Sequence, residues 1–471
     1  SAQDLASGQF TIPTDIDPAV TRMRVSLKNE GLPSSCETFT FGEVEDYTVV
    51  LYDDYVFYDN SWTPNNPVTG AIPSLNSDNI AILNGTANIS GKLMGNDLTL
   101  ARGSNLEMAA PVTSSTADAT VLNLAGDITN NGEIVFKSDA NGSGQFDEFI
   151  GTSSGNGDIT VNRFIPAGDN NLRAFRFLST AVNSTRTIRE DWQEDASSNT
   201  DDPNPGFGTH ITGTTGTDGT NGFDASGSGQ ASLLVFDNSQ QTWGSISDTD
   251  PTKLKAGNAY NLFVRGNRGI DLTASSTAQN PSNTTLRSTG TLATGSLTTA
   301  SELPALASGN DEWSFIGNPY QAIVDYSNLS FTGDIKSTIL YIWNPNAGTQ
   351  GSYDSFDDTE PTQQMIQPGQ SFFVQNSGTV NTPPTIEFTE TAKNTSGNVT
   401  TVFSTNDIAV ANLELYNNND TKLDVMKFRF EAGADNGLDD YDAGKLGNPT
   451  ENLASLNGST LLSIERRDIP A

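Results

Sequence analysis

Histidine is almost missing from this sequence: His210 is the sole one in 471 residues, and Cys36 is the sole cysteine. One histidine cannot supply both a general base and metal ligands, so zinc centres and serine triads have no material to be built from. A Cys–His couple is equally remote, because His210 lies far from Cys36 in a Gly/Thr-rich loop. A lone cysteine predicts a buried free thiol or a partner upstream of residue 1. The second reading, and the abrupt start "SAQDLASGQFTIP", make the chain an interior piece of a larger precursor. Basic residues are also scarce, 24 against 57 acidic, for a net charge of −33. Nucleic acid and anionic membrane would both be repelled. No apolar run approaches the ~18 residues of a membrane span, so insertion is not expected. A GxxxxGK[ST] phosphate loop is lacking too, and the Gly-rich "GTDGTNG" at 216–222 precedes no helical pattern.

What remains is Gly, Ser, Thr, Asn and Asp, with charged residues at 17 % and no long stretch of good helix formers. That composition predicts an all-β protein of serial β-sandwich and β-solenoid-like modules with very little helix. The length suggests roughly three or four domains. Residues 1–52 alternate as strands, "GQFTIP", "TRMRVSL" (21–27) and "TFTFGEVEDYTVVL" (38–51), which make only part of a sandwich. From 53 to 158, apolar runs of four to six residues recur irregularly between Asn/Gly turns, as in stacked β-coils; a second sandwich is the competing arrangement. Residues 159–402 read as a long β-rich module, and 403–471 as a further partial sandwich.

Several clusters are candidates for chemistry. In "GEVEDYTVVL" (42–51), Glu43 and Glu45 share one strand face and Asp46 takes the other, with no base or cleft residue beside them. In "REDWQED" (189–195), Glu190 and Asp191 flank Trp192, which suits either a sugar-stacking site or a structural turn over a buried Trp. Calcium is the candidate cofactor, since closely spaced acids repel one another without a cation or donor. "SDANGSGQFDEF" spaces Asp139, Asn141, Ser143 and Asp147 as the front half of an oxygen-ligand loop, although Ile150 stands where the bidentate Glu belongs. "ADNGLDDYD" offers Asp435, Asp439, Asp440 and Asp442 as a second set. Tyr55, Phe57, Tyr58 and Trp62 form either an aromatic platform or a buried strand. Sequons at Asn84, Asn183 and Asn398 are what an Asn/Thr-rich composition produces incidentally.

Three stretches resemble known modules. "FTIP…TRMRV…C…FGEVEDYTV" resembles the GEVED domain, a β-sandwich module of large secreted Bacteroidota proteins, especially flavobacterial ones. The resemblance implies no enzymatic role for Glu43, Glu45 or Asp46. "ITVNRFIPAGDNNLRAFRFLSTAV", "LKAGNAYNLFVRG", "SFIGNPYQAIVD" and "IQPGQSFFVQ" resemble a β-rich module that precedes the secretion signal of flavobacterial surface proteins. Asp439, Tyr441, Asp442, Ala443, Lys445 and Leu446 are similar to a Phe-Asp-x-x-Tyr-Asp-Ala-x-Lys-Leu pattern, with departures at Leu438 and in the spacing. That pattern belongs to a small sandwich preceding the sorting domain of type IX secretion substrates. Together the resemblances imply a non-enzymatic extracellular segment attached at the outer membrane, an adhesin or stalk. Its partners would be the type IX secretion machinery or outer-membrane anchoring proteins, and surface glycans or other cells. The alternatives are an accessory region of a secreted polysaccharide-degrading enzyme, or a cargo segment for the secretion machinery.

Overall fold

The computed structural model describes residues 19–34, 36–51, 54–113, 119–167, 174–214, 220–270, 272, 282–345, 351–360, 364–395, 409–418, 420–431 and 433–469. The expected strand over 8–13, Asn398 and most of the loop 216–222 lie outside the described residues. The protein is all-β: among the described residues, helix is confined to Ile188–Trp192 and a few three-residue 3₁₀ turns. No described helix is long and apolar enough to cross a membrane.

Strands Ala19–Lys28 and Gly42–Leu51 pair as an antiparallel hairpin, with Leu27 opposite Glu43, Val25 opposite Glu45 and Arg24 opposite Asp46. The period-two alternation puts Glu43, Glu45 and Tyr47 on one face and Asp46 on the other. Arg24 grips Asp46 by a forked pair of bonds, Nε to Oδ1 at 2.8 Å and Nη2 to Oδ2 at 3.0 Å. Asp46 thus serves cross-strand pairing at the surface, while Glu45 accepts from the Tyr47 hydroxyl on its own strand. Cys36, beside this hairpin in sequence, is exposed.

From 55 to 165 the chain winds repeatedly through three ladders, and every step up a ladder is parallel. The first ladder stacks Ile80–Ile82, Leu98–Leu100, Ile128–Asn130 and Ser153–Ser154. The second stacks Gly85–Ile89, Ser104–Met108, Glu133–Phe136 and Asp158–Ile165. Lys92–Gly95, Val121–Leu124 and Gln145–Phe146 form the third. A hairpin-built sandwich would pair these neighbours antiparallel. The inward columns Ile80/Leu98/Ile128, Leu106/Ile134/Ile159 and Leu93/Leu122/Phe146 are all buried in one core. Each such side chain contributes roughly 1.5–3 kcal/mol by leaving water. Asn130 is the polar member: its amide donates to the Asp158 carbonyl (3.0 Å) and accepts from the Gly132 N–H (3.0 Å), fixing the corner. Gly132 is required there, since a Cβ would sit 2.1 Å from the Ser104 carbonyl oxygen. The second ladder runs on past residue 158, where Asp158–Ile165 pairs antiparallel with Thr284–Leu292.

Two antiparallel sheets follow. One is ordered Ala174–Leu178, Tyr260–Val264, Leu233–Asp237, Thr242–Ser245, and the other Trp313–Gly317, Ser371–Gln375, Leu340–Asn344, Ser352–Phe356. Alternation gives each an apolar outer face: Leu178, Leu233, Leu262 and Val264 on the first, Ile316, Leu340, Phe372 and Val374 on the second. The inner faces are aromatic and meet each other (Phe177, Phe236, Phe315, Tyr341, Phe373). A last sheet, built on Ala409–Tyr416, Lys422–Phe430 and Thr460–Arg467, packs against this pair. It is fastened by Lys427, which reaches Glu360 at 2.7 Å, and by Arg429, whose Nη2 donates to Glu360 at 2.9 Å.

Candidate functional site

Where the two aromatic faces splay apart they leave a groove of about 660 Å³, within the range of ligand pockets. Phe175 and Phe177 come from one strand; Asn261 and Phe263 stand opposite them on the next, in the register Phe175↔Phe263 and Phe177↔Asn261. Trp243 adds a wall at the far edge of the same sheet, and Trp343 and Tyr353, themselves cross-strand partners, form the facing wall. Gly447 and Pro449 border it from the C-terminal unit.

The rings are held in place rather than loosely clustered. Phe177 lies at the floor, stacked on Trp343 (centroids 5.7 Å, planes 25° apart) and edge-on to Phe315 at 4.6 Å. Trp343 and Tyr353 meet edge to face at 4.9 Å, a geometry that matches positive ring edges to negative faces. The Trp343 indole N–H donates to the Phe175 carbonyl at 3.0 Å, tying the two sheets. Gly351, at φ +97°, passes so close to the indole that a Cβ would sit 2.2 Å from Cζ2. The Asn448 side chain accepts from the Tyr353 N–H at 2.8 Å and secures that wall from the C-terminal unit. Trp243 is 39 % exposed, so the groove presents an accessible ring at its mouth.

Among the described residues, none that lines the groove carries a charge. Asn261 is the one amide side chain among the described lining residues; it is 9 % exposed, and its Oδ1 has no hydrogen-bond partner among the described residues. The groove can therefore hold a flat, uncharged surface against rings and satisfy one buried amide. These rings were not among the residues the sequence singled out. The missed signal is the paired aromatics two apart in "AFRFL", facing an Asn set inside the apolar strand "YNLFV".

The residues singled out from sequence lie elsewhere. Tyr55 and Phe57 are buried strand residues of the coil core, and Trp62 packs edge-on to Phe57 at 5.1 Å, so they form no open platform. Glu190 is the reciprocal member of a capping box with Thr187, while Trp192 is 2 % exposed and donates its indole N–H to Ser288. This is the structural-turn reading of "REDWQED" and leaves no ring for sugar stacking. Asp191 is buried beneath that turn, and burial pushes its carboxyl up to about 7 against the pull of the Ser184 hydroxyl, which donates at 2.6 Å. His210 is wholly buried; its Nδ1 lies 3.4 Å from Asp224, which also receives a fork from Arg268 at 2.8 and 3.0 Å.

Neither calcium candidate is gathered around one point. Asp139 and Ser143 fall on a tiny hairpin, where Asp139 accepts from the Asn141 N–H (2.7 Å) and Ser143 donates to Ser138 (2.9 Å). Asp147 is engaged by Asn123 (2.6 Å), Thr395 (2.8 Å) and, at 3.5 Å, the Lys92 ammonium. In the second set, Asp435 and Asp439 accept from backbone N–H groups two residues on, Asp440 from Ser377, and Asp442 from the N–H groups of Asp439 and Arg466. Among the described residues no group of three or more His, Cys, Asp or Glu side chains is placed to hold a metal ion.

Comparison with known proteins bears on the N-terminal end alone. No curated protein and no solved structure matches the chain. Residues 1–50 match the GEVED domain, so the chain carries that domain at its start, with the described hairpin as its visible part.

Proposed function

We propose that this chain is a non-enzymatic segment of an extracellular cell-surface protein, an adhesin or stalk exported by type IX secretion and held at the outer membrane. The observation that carries the reading is the uncharged aromatic groove, a preformed recognition surface displayed on stiffly packed β units. The GEVED domain at residues 1–50 supports a secreted setting. Asp191, whose carboxyl burial lifts to about 7, is sealed in the protein interior and does not line the groove, which favours binding over turnover there. The same groove would serve the alternative, an accessory region that keeps a polysaccharide-degrading enzyme on its substrate.

Adhesion of protein-coated beads tests the reading. Beads carrying the chain should be retained on bacterial cells or polysaccharide films, and beads carrying Trp243→Ala should wash off. Equal retention of both, or none of either, removes the adhesive role. Surface proteolysis of intact producing cells, with and without a working type IX system, tests the location; protection from protease in both strains would refute it.

A further inference from the structure

We infer that the aromatic groove binds a neutral saccharide, with Asn261 as its buried polar contact; this rests on the groove being the binding surface.

Three features of the groove narrow the ligand. Among the described residues its lining holds no charged side chain, although the protein carries −33 overall. An ionic ligand would have to lose its hydration in an apolar cleft without a counter-charge, and an anion would also approach against the field of the whole molecule. That selects an uncharged occupant.

A purely apolar occupant would leave the Asn261 amide, whose Oδ1 already lies buried and unpartnered among the described residues, without a partner on the side that lines the groove as well. An amide presents donor and acceptor groups side by side, and a hydroxyl is both donor and acceptor, so a sugar hydroxyl satisfies the amide in either orientation. Asn261 sits opposite Phe177 and beside the Phe175/Phe263 pair, so the polar contact falls at the floor with rings around it.

A pyranose has the matching form: C–H-rich faces that lie on aromatic rings, and hydroxyls around the rim. Trp343 and Tyr353 on one wall and Trp243 on the other supply ring surface. The bond from the Trp343 indole N–H to the Phe175 carbonyl leaves that indole already oriented, so little ordering is demanded on binding.

Tryptophan fluorescence of the whole chain, titrated with short neutral gluco-, manno- and xylo-oligosaccharides, tests the assignment, with a charged oligouronide and an apolar indole derivative alongside. At least one neutral saccharide should give a saturable change, with the oligouronide weaker by tenfold or more. Trp243→Ala, at the exposed mouth, should abolish the change, and Asn261→Ala should weaken binding about tenfold; circular dichroism and melting of each variant establish that it is folded. If a folded Asn261→Ala binds as tightly as the parent, the polar contact is wrong. Response to the indole derivative without any saccharide response overturns the saccharide class and keeps the groove as a binding surface. Saccharide binding untouched by Trp243→Ala overturns the groove as its location, and silence toward every probe overturns both class and groove.

Discussion

The Lys393 ammonium lies 2.6 Å from the Glu390 carboxylate with both side chains buried, 1 % and 8 % exposed. It also stands over the rings of Phe146 and Tyr320 at 5.0 and 4.8 Å and donates to the Asp147 carbonyl at 3.0 Å. Glu390 in turn accepts from the N–H groups of Phe149 and Gly295. One ion pair thereby joins the end of the parallel coil to the sheets that follow it.

Removing one partner of such a pair strands the other charge in a poorly solvating site, which costs about 3–5 kcal/mol. Lys393→Met keeps the aliphatic stem over the rings and deletes only the charge, so urea unfolding should show a loss of that size. Adding Glu390→Gln should return part of it, because the stranded carboxylate is gone. A single variant within about 1 kcal/mol of the parent would show that the pair is not what holds the junction.

Asp191 makes a stability claim with a definite sign. Its folded pKa, raised to about 7 chiefly by burial, exceeds the ordinary value near 4. The folded state therefore holds its proton more tightly, and the stabilisation is full below about pH 4 and lost as pH rises through about 7. Asp191→Asn mimics the protonated form and keeps an acceptor for Ser184. It should match the parent at pH 4 and exceed it by up to roughly 4 kcal/mol at pH 8. Denaturation curves at both pH values decide; a constant difference between the two proteins contradicts the assignment.

Asp224 works in the opposite sense. Burial would push it up, but His210 and the Arg268 fork draw it down to about 2. Its contribution is present above about pH 4 and lost as pH falls through about 2, amounting to about 2 kcal/mol. Asp224→Asn should cost about 3 kcal/mol at pH 7, where it strands the buried Arg268, and much less near pH 2. Parallel acid titrations of parent and variant check this, and a penalty independent of pH would count against the network.

How far the sequence revealed this architecture depends on what each residue reports. Strand alternation around Val25 and Tyr47 announces the hairpin, because a period of two is a local property. The coil is harder to read: Ile80, Leu98, Ile128 and Ser153 stack in one column, so its turns consume 18, 30 and 25 residues, too uneven to show as a repeat. The groove is harder still. Phe177 and Trp343 are 5.7 Å apart in space and on different sheets, and nothing in either strand announces the other. Aromatic residues in alternating strands read as core by default, and only the misplaced polarity of Asn261 hints that one face stays open.

The acidic clusters were legible as clusters, but the partner that answers their charge was not. Lys336 is 6 % exposed, donates to the Asp442 carbonyl at 2.8 Å, and lines a pocket with Asp311, Asp439 and Asp440. Burial lowers its pKa while the charges of Asp311, Asp440, Asp442 and Asp439 oppose the shift, and the bond that holds the ammonium runs to a backbone carbonyl. A buried ammonium beside these acids, and Lys92 at 3.5 Å from Asp147, predict that calcium is not needed to balance them. Melting curves in EGTA and in millimolar calcium should therefore superimpose within about a degree. Lys336→Met leaves the acids without their counter-charge, and should convert the pocket into one that calcium stabilises by a few degrees. A calcium-dependent rise of several degrees in the parent protein would show that the internal lysines do not fill this role, and would restore Asp439, Asp440 and Asp442 as metal ligands.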